Sequence, residues 1–200
     1  WLTAGEICYL VQFFTSRLAD FGTQVEVLFC LHVLLYNYCR TKQGTFPAPI
    51  DARNVNAIIL SLSEEVHTQS LSVNARRWVF EILKLLLEDY SSALADQDQD
   101  GSAYMYCFIQ AMDGEKDPRN LVICFDLVSD ICRTLPTRVY TRFSEELFEV
   151  TSCYFPITFQ ERKDDPHAIK RTDLVNKLND ALGACPALAS HVVPFLLDKL

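Results

Sequence analysis

The chain has 200 residues, half of them apolar, and carries 18 basic against 26 acidic residues for a net charge of −8. That apolar content rules out a disordered segment and fits one large domain or two small ones. The acidic balance speaks against direct nucleic-acid binding, which needs clustered Lys and Arg to displace counterions; here the basic residues reach only pairs, Arg76-Arg77 and Lys170-Arg171.

Glycine and proline are scarce, with six and eight residues, and most fall between apolar-periodic stretches. Helices are therefore predicted throughout, about nine of them. The first covers 4–20, with Thr3 as N-cap and Glu6 three residues on in a capping-box pattern. Ile7, Val11, Phe14 and Leu18 share one of its faces. Phe21-Gly22-Thr23 interrupts, and a second helix follows to 38. Its run "VEVLFCLHVLLYNYC" is apolar on every face, which predicts a buried helix. At about 15 residues it falls short of the roughly 20 that cross a bilayer, so no membrane span is expected. The chain begins at Trp1 without a basic-then-apolar leader, and the expectation is a soluble piece of a longer protein.

After the loop "RTKQGTFPAP", a third helix is predicted over 51–66. "TQSLSVN" leads into a fourth over 75–90, with Trp78, Val79, Ile82, Leu83 and Leu86 as its packing face. "ADQDQDG" precedes a short fifth helix over 102–112. The polar stretch "MDGEKDPRN" then hands over to a sixth, 117–135, where Leu121, Cys124, Phe125, Val128, Ile131, Cys132 and Leu135 recur at three- and four-residue steps. Pro118 suits its first turn, where a missing N–H costs nothing. A seventh helix covers 138–154 and stops at Pro156. The loop "QERKDDPH" separates it from an eighth over 170–184. Pro186 starts a ninth, which Pro194 bends, or which starts as late as Ala189. "YFPITF" is the only strand candidate.

Grouped in pairs, these helices give units 4–39, 50–90, 102–135 and 138–184, with one helix left over. A period of roughly 40 to 50 residues belongs to HEAT- or armadillo-type solenoids, in which each pair needs its neighbours to bury its apolar face. The expected fold is thus all-α, a HEAT/armadillo-like superhelix of about four pairs and one further helix, with residues 1–200 as a single domain. A globular helical bundle is the alternative.

Chemistry is harder to find. No two of the eight cysteines lie within four residues of each other, and only Cys30 has a histidine that near, His32, which falls short of the ligand spacing zinc sites favour, so buried reduced thiols are expected. Cys124 and Cys132 share one helix face, but a cluster would need two more ligands. "DQDQDG" matches the first half of a calcium loop; its twelfth position, where a bidentate Glu belongs, is Cys107. His32 lies among apolar residues, which predicts a hydrogen-bonded core side chain. Asp164, Asp165 and His167 sit in a loop with nothing to fix their geometry, and Glu145, Glu146 and Glu149 read as a solvated helix face. No nucleophile has a base partner, so no catalytic, cofactor or metal site is expected.

"DGEKDPRN" itself reads as a corner. Gly114 is free to take positive φ at a helix end, and Asp117 is placed to cap the next helix. Its exposed members Glu115, Lys116, Arg119 and Asn120 are candidate partner contacts, followed by Arg162, Lys163 and Asp164 in the later loop.

"FIQAMDGEKDPRNLVICFDLVSDI", "EELFEVTSCYFPITF", "DDPHAIKRTDLVNKL" and "SEEVHTQSL", in this chain's order and spacing from about 50 to 200, closely resemble the N-terminal region of one family. It is the large HEAT-repeat scaffold of the cytosolic iron–sulfur protein assembly targeting complex, named after methyl methanesulfonate sensitivity. The resemblance implies a non-enzymatic adaptor in cytoplasm and nucleus. It would work with a WD40 propeller subunit and its small partner, bringing clusters to apo-clients in DNA repair, replication and transcription. Docking of the other subunits in the family lies mainly in C-terminal repeats, which are absent here. A transcription or heterochromatin adaptor acting apart from cluster transfer is the alternative.

Overall fold

The computed structural model describes residues 2–38, 50–95, 101–159 and 169–199. Among these the chain is all helical, without a strand: α1 (Ala4–Arg17), α2 (Gln24–Tyr38), α3 (Ala52–Glu65), a 3-10 turn at Thr68–Ser70, α4 (Val73–Leu94), α5 (Ser102–Met112), α6 (Pro118–Thr134), α7 (Thr137–Arg142), α8 (Ser144–Ser152), α9 (Arg171–Leu182) and α10 (Pro186–Leu197). The helices pack in adjacent pairs of the HEAT/armadillo kind. The chain divides into two compact units, Trp1–Ala111 and Met112–Leu200.

In the first unit α1 packs on α2 and α3 on α4, and the pairs meet α1 to α3 and α2 to α4. The capping box forms as the sequence predicts: the Glu6 amide donates to Thr3 Oγ1 at 3.3 Å, and the Thr3 amide donates to Glu6 Oε2 at 2.7 Å. Ile7, Val11 and Leu18 are buried, with Thr15 beside them, while Phe14 stays half-buried. On α4, Val79, Ile82, Leu83 and Leu86 face the core; Trp78 is half-buried and stacks obliquely on Phe29, centroids 5.1 Å apart. Tyr90 leaves helical geometry (φ −130°, ψ 25°), and the chain resumes its helix to Leu94 beyond this kink.

Two buried amides tie the pairs together, and neither has a sequence signature. Gln24 donates through Nε2 to the carbonyls of Leu18 (2.6 Å) and Glu65 (3.0 Å), pinning the α1–α2 turn to the end of α3. Asn54 donates to Asp51 Oδ1 at 3.0 Å and to Cys8 Sγ at 3.4 Å, joining α3 to α1. α5 docks through the Tyr104 hydroxyl, which donates to the Leu83 carbonyl at 3.1 Å, and through Ser63, which donates to Gln110 Oε1 at 3.3 Å.

α2 differs from expectation. Only one stripe is buried (Gln24, Val27, Leu28, Leu31, Leu34, Leu35); Val25, Phe29, Val33 and Tyr36 are exposed. A helix that is apolar on every side cannot announce which side its neighbours will cover. His32 is likewise not a hydrogen-bonded core residue. It is half-buried, its Nδ1 lacks a hydrogen-bond partner among the described residues, and burial pushes its imidazole towards the neutral form.

In the second unit α6 packs chiefly on α9, α8 on both α9 and α10, and α7 between α6 and α8. Six of the seven apolar positions predicted for α6 are buried, Cys132 alone being half-buried. The predicted helix over 138–154 is two helices, broken at Phe143 (φ −107°, ψ 18°), whose ring is buried. α10 starts at Pro186 and runs through Pro194. "YFPITF" forms no strand: Tyr154 ends in a turn and 157–159 are irregular.

Candidate partner-docking corner

The corner at 112–120 begins where Gly114 takes φ 74°, a left-handed conformation that costs other residues a Cβ clash. Asp117 then caps α6, its Oδ1 accepting from the Arg119 amide at 3.0 Å. The same carboxylate is gripped by the Arg119 guanidinium, Nε to Oδ1 at 3.0 Å and Nη2 to Oδ2 at 2.9 Å. This bidentate pair holds the Asp117 carboxyl below its ordinary pKa, with burial opposing and the amide bonds assisting.

Glu115 corrects the sequence reading. It was expected to be exposed, yet it is only 1% exposed, and Asn120 is fully buried. The Glu115 carboxylate turns inward: Oε1 accepts from the amides of Lys116 and Asp117, each at 2.8 Å, and Oε2 accepts from Asn120 Nδ2 at 3.0 Å. A buried carboxylate is tolerated when several donors converge on it beside the positive end of a helix. Glu115 and Asn120 therefore shape the corner and offer nothing at the rim. Lys116 and Arg119 remain exposed, Arg119 already engaged with Asp117. Arg162, Lys163 and Asp164 lie outside the described residues.

Beside the corner, the stretch 153–159 folds back and encloses a groove of about 280 Å³. Its buried lining includes Leu121, Ile157 and Leu174, and Lys116, Cys153 and Thr158 stand exposed along it. The Tyr154 hydroxyl donates to the Met112 carbonyl at 3.0 Å, and its ring meets Phe125 edge-on at 5.7 Å. Arg171 Nε donates to the Ile157 carbonyl at 3.0 Å, fixing the opposite end of this stretch. The Tyr154 brace escaped sequence reasoning because it lies 42 residues from the carbonyl it holds.

Burial, and then the charge of Glu115, push the Cys124 thiol up; burial and Asp113 do the same to Cys153. Tyr154 is raised by burial first and by nearby Cys153 next. Thiols so placed stay protonated and are poor nucleophiles at neutral pH. Among the described residues no three His, Cys, Asp or Glu side chains gather as metal ligands. Ser144 Oγ lies 3.3 Å from His191 Nε2, but that ring stacks on Phe148, a packing arrangement. Residues 96–100 of the calcium-like stretch and His167 lie outside the described residues. The basic pairs are largely spent on the protein itself: Arg76 donates to the Leu71 carbonyl at 2.8 Å, Arg77 faces Glu81 at 3.7 Å, and Arg171 binds Ile157. No single described helix is long and apolar enough to cross a membrane.

Helix pairs packed side by side, with a hydrogen-bonded corner between helices, define a helical-repeat protein of the HEAT/armadillo class. Comparison with known proteins gives that class its particular member. A family model described as "Dos2-interacting transcription regulator of RNA-Pol-II", the MMS19 N-terminal domain, matches residues 1–200, and the chain belongs to this family. Relatives called "MMS19 nucleotide excision repair protein homolog" are similar along the whole chain. The one from Homo sapiens is 40% identical over 98% of this chain and 18% of its own length. Those from Dictyostelium discoideum and Arabidopsis thaliana are 31% and 34% identical, over 100% and 96% of this chain and 16% of their own lengths. The chain thus spans less than a fifth of the relatives it matches.

Proposed function

We propose that this chain is the N-terminal part of a non-enzymatic adaptor of the cytosolic iron–sulfur targeting complex. It serves DNA repair and transcription by bringing apo-clients to the cluster-transfer machinery, in cytoplasm and nucleus. The observation that carries the reading is family membership across all 200 residues. Partners are the WD40 propeller subunit, its small companion and the client proteins, with no nucleic acid and no cofactor of the chain's own. On the corner, Lys116 and Arg119 are the rim contacts, backed by the Glu115–Asn120 bond that keeps the loop in one shape.

The family description, a transcription regulator of RNA polymerase II that interacts with Dos2, favours a second reading, in which the chain docks chromatin or transcription factors apart from cluster transfer. Native pull-down of the full-length protein separates the two. Recovery of iron–sulfur clients with the propeller subunit supports transfer; recovery of chromatin factors alone sinks it.

A further inference from the structure

We propose that Cys132 and Cys185 are an oxidisable dithiol, a modification site at which a peroxide closes a covalent clamp between α6 and the start of α10. The two sulfurs lie 3.2 Å apart although 53 residues separate them in sequence. Cys132 sits in the last turn of α6, and Cys185 is the N-cap residue of α10, at the corner where α9 hands over. Disulfide sulfurs stand about 2.05 Å apart, so closure asks for roughly 1 Å of side-chain movement. Other thiols meet different partners: Cys153 donates to the Val150 carbonyl at 3.3 Å, and Cys8 accepts from Asn54.

Exposure assigns the roles. Cys132 is half-buried and meets the oxidant first; Cys185 is buried against it and resolves the product. The Cys132 sulfur attacks one peroxide oxygen, the O–O bond breaks, and the sulfur becomes a sulfenic acid as water leaves. The Cys185 sulfur then attacks the sulfenic sulfur. The S–S bond forms, the S–O bond breaks, and a second water carries away the Cys185 proton. Two electrons pass from the sulfurs to the peroxide, and a thiol reductant reverses the change. Burial and the adjoining thiol push the Cys132 thiol up, so the first step is slow at neutral pH and accelerates as pH rises, while the 3.2 Å approach of Cys185 makes the second step fast.

The test uses the full-length protein exposed to dilute hydrogen peroxide, alkylated, digested without reduction and read by mass spectrometry. The expected product is a linked pair of peptides carrying Cys132 and Cys185, two hydrogens lighter than the reduced pair and abolished by dithiothreitol. At fixed peroxide concentration, the fraction linked per unit time is unchanged on roughly tenfold dilution of the protein, as closure within one molecule requires. In Cys185→Ser, Cys132 instead stops at sulfenic or sulfinic acid. Amide exchange around 183–188 should slow several-fold in the linked form. Separate alkylation of the two cysteines after oxidation, or their linkage to other cysteines, overturns the site. A linked pair with unchanged exchange overturns the clamp. Because the linked peptides are read in the wild type, a poorly folding serine variant leaves the test intact.

Discussion

Glu115 is the residue on which the corner turns. Replacing it with Ala strips a partner from two main-chain amides and from the Asn120 side chain, all of which then lie near a void. Each buried donor left unmade costs about 1–3 kcal/mol, so Glu115→Ala should lower unfolding stability by about 3 kcal/mol in urea titrations. Glu115→Gln keeps an oxygen acceptor and should cost less than half as much. Asp117 offers a pH test with a definite sign. Its folded pKa lies below the ordinary value of 3.8, so it contributes stability above that pH and loses it as acid titrates the carboxyl through the lowered value. Wild type should therefore be more stable than Asp117→Asn near neutrality, and the gap should close in strong acid. A gap that grows on acidification would contradict the Arg119 pairing. At this scale the sequence was half legible. Asp117 and Gly114 carry local signatures, a capping side chain before a Pro at N1 and a glycine at a helix end. The inward turn of Glu115 depends on Asn120 and on apolar cover from far along the chain, which no local pattern encodes.

Among elements, those with a clear periodic face were read correctly, and two others failed for separate reasons. α6 shows three- and four-residue steps and buries that face; Phe125 is wholly buried, so Phe125→Ala should cost about 3–5 kcal/mol in the same titrations. α2 has no such contrast, and its exposed Val25, Phe29, Val33 and Tyr36 could not be told from its core residues. The break at Phe143 was invisible because neither Gly nor Pro marks it; buried packing of the ring decides it. Gly114, by contrast, is a marked break. Gly114→Ala places a Cβ on a residue at φ 74° and should lower the melting temperature by the equivalent of about 1 kcal/mol, while Gly5, with open space around it, should accept Ala without loss. Equal effects at both positions would remove the backbone argument for the corner.

For the whole molecule, helix class and the pairing of the first four helices follow from spacing, turn residues and apolar steps. The second unit shows where spacing stops informing: α6 finds its main partner in α9, with Lys177 Nζ on Asp126 Oδ1 at 2.6 Å across 51 residues of sequence. Family was legible only through resemblance, carried by stretches such as "MDGEKDPRNL" and "ELFEVTSCYFPI", because helical periodicity and spacing name a fold and not a family. Membership of the MMS19 N-terminal family is the ground on which the repair and transcription role is proposed, and the proposed adaptor mechanism asks only for partner capture by surface residues. The most direct measurement is quantitative recovery of partners by the full-length protein with and without residues 1–200. The adaptor account predicts that deletion depletes a defined set of apo iron–sulfur clients while the propeller subunit, held by distant repeats, is retained. Undiminished recovery of every client would contradict it.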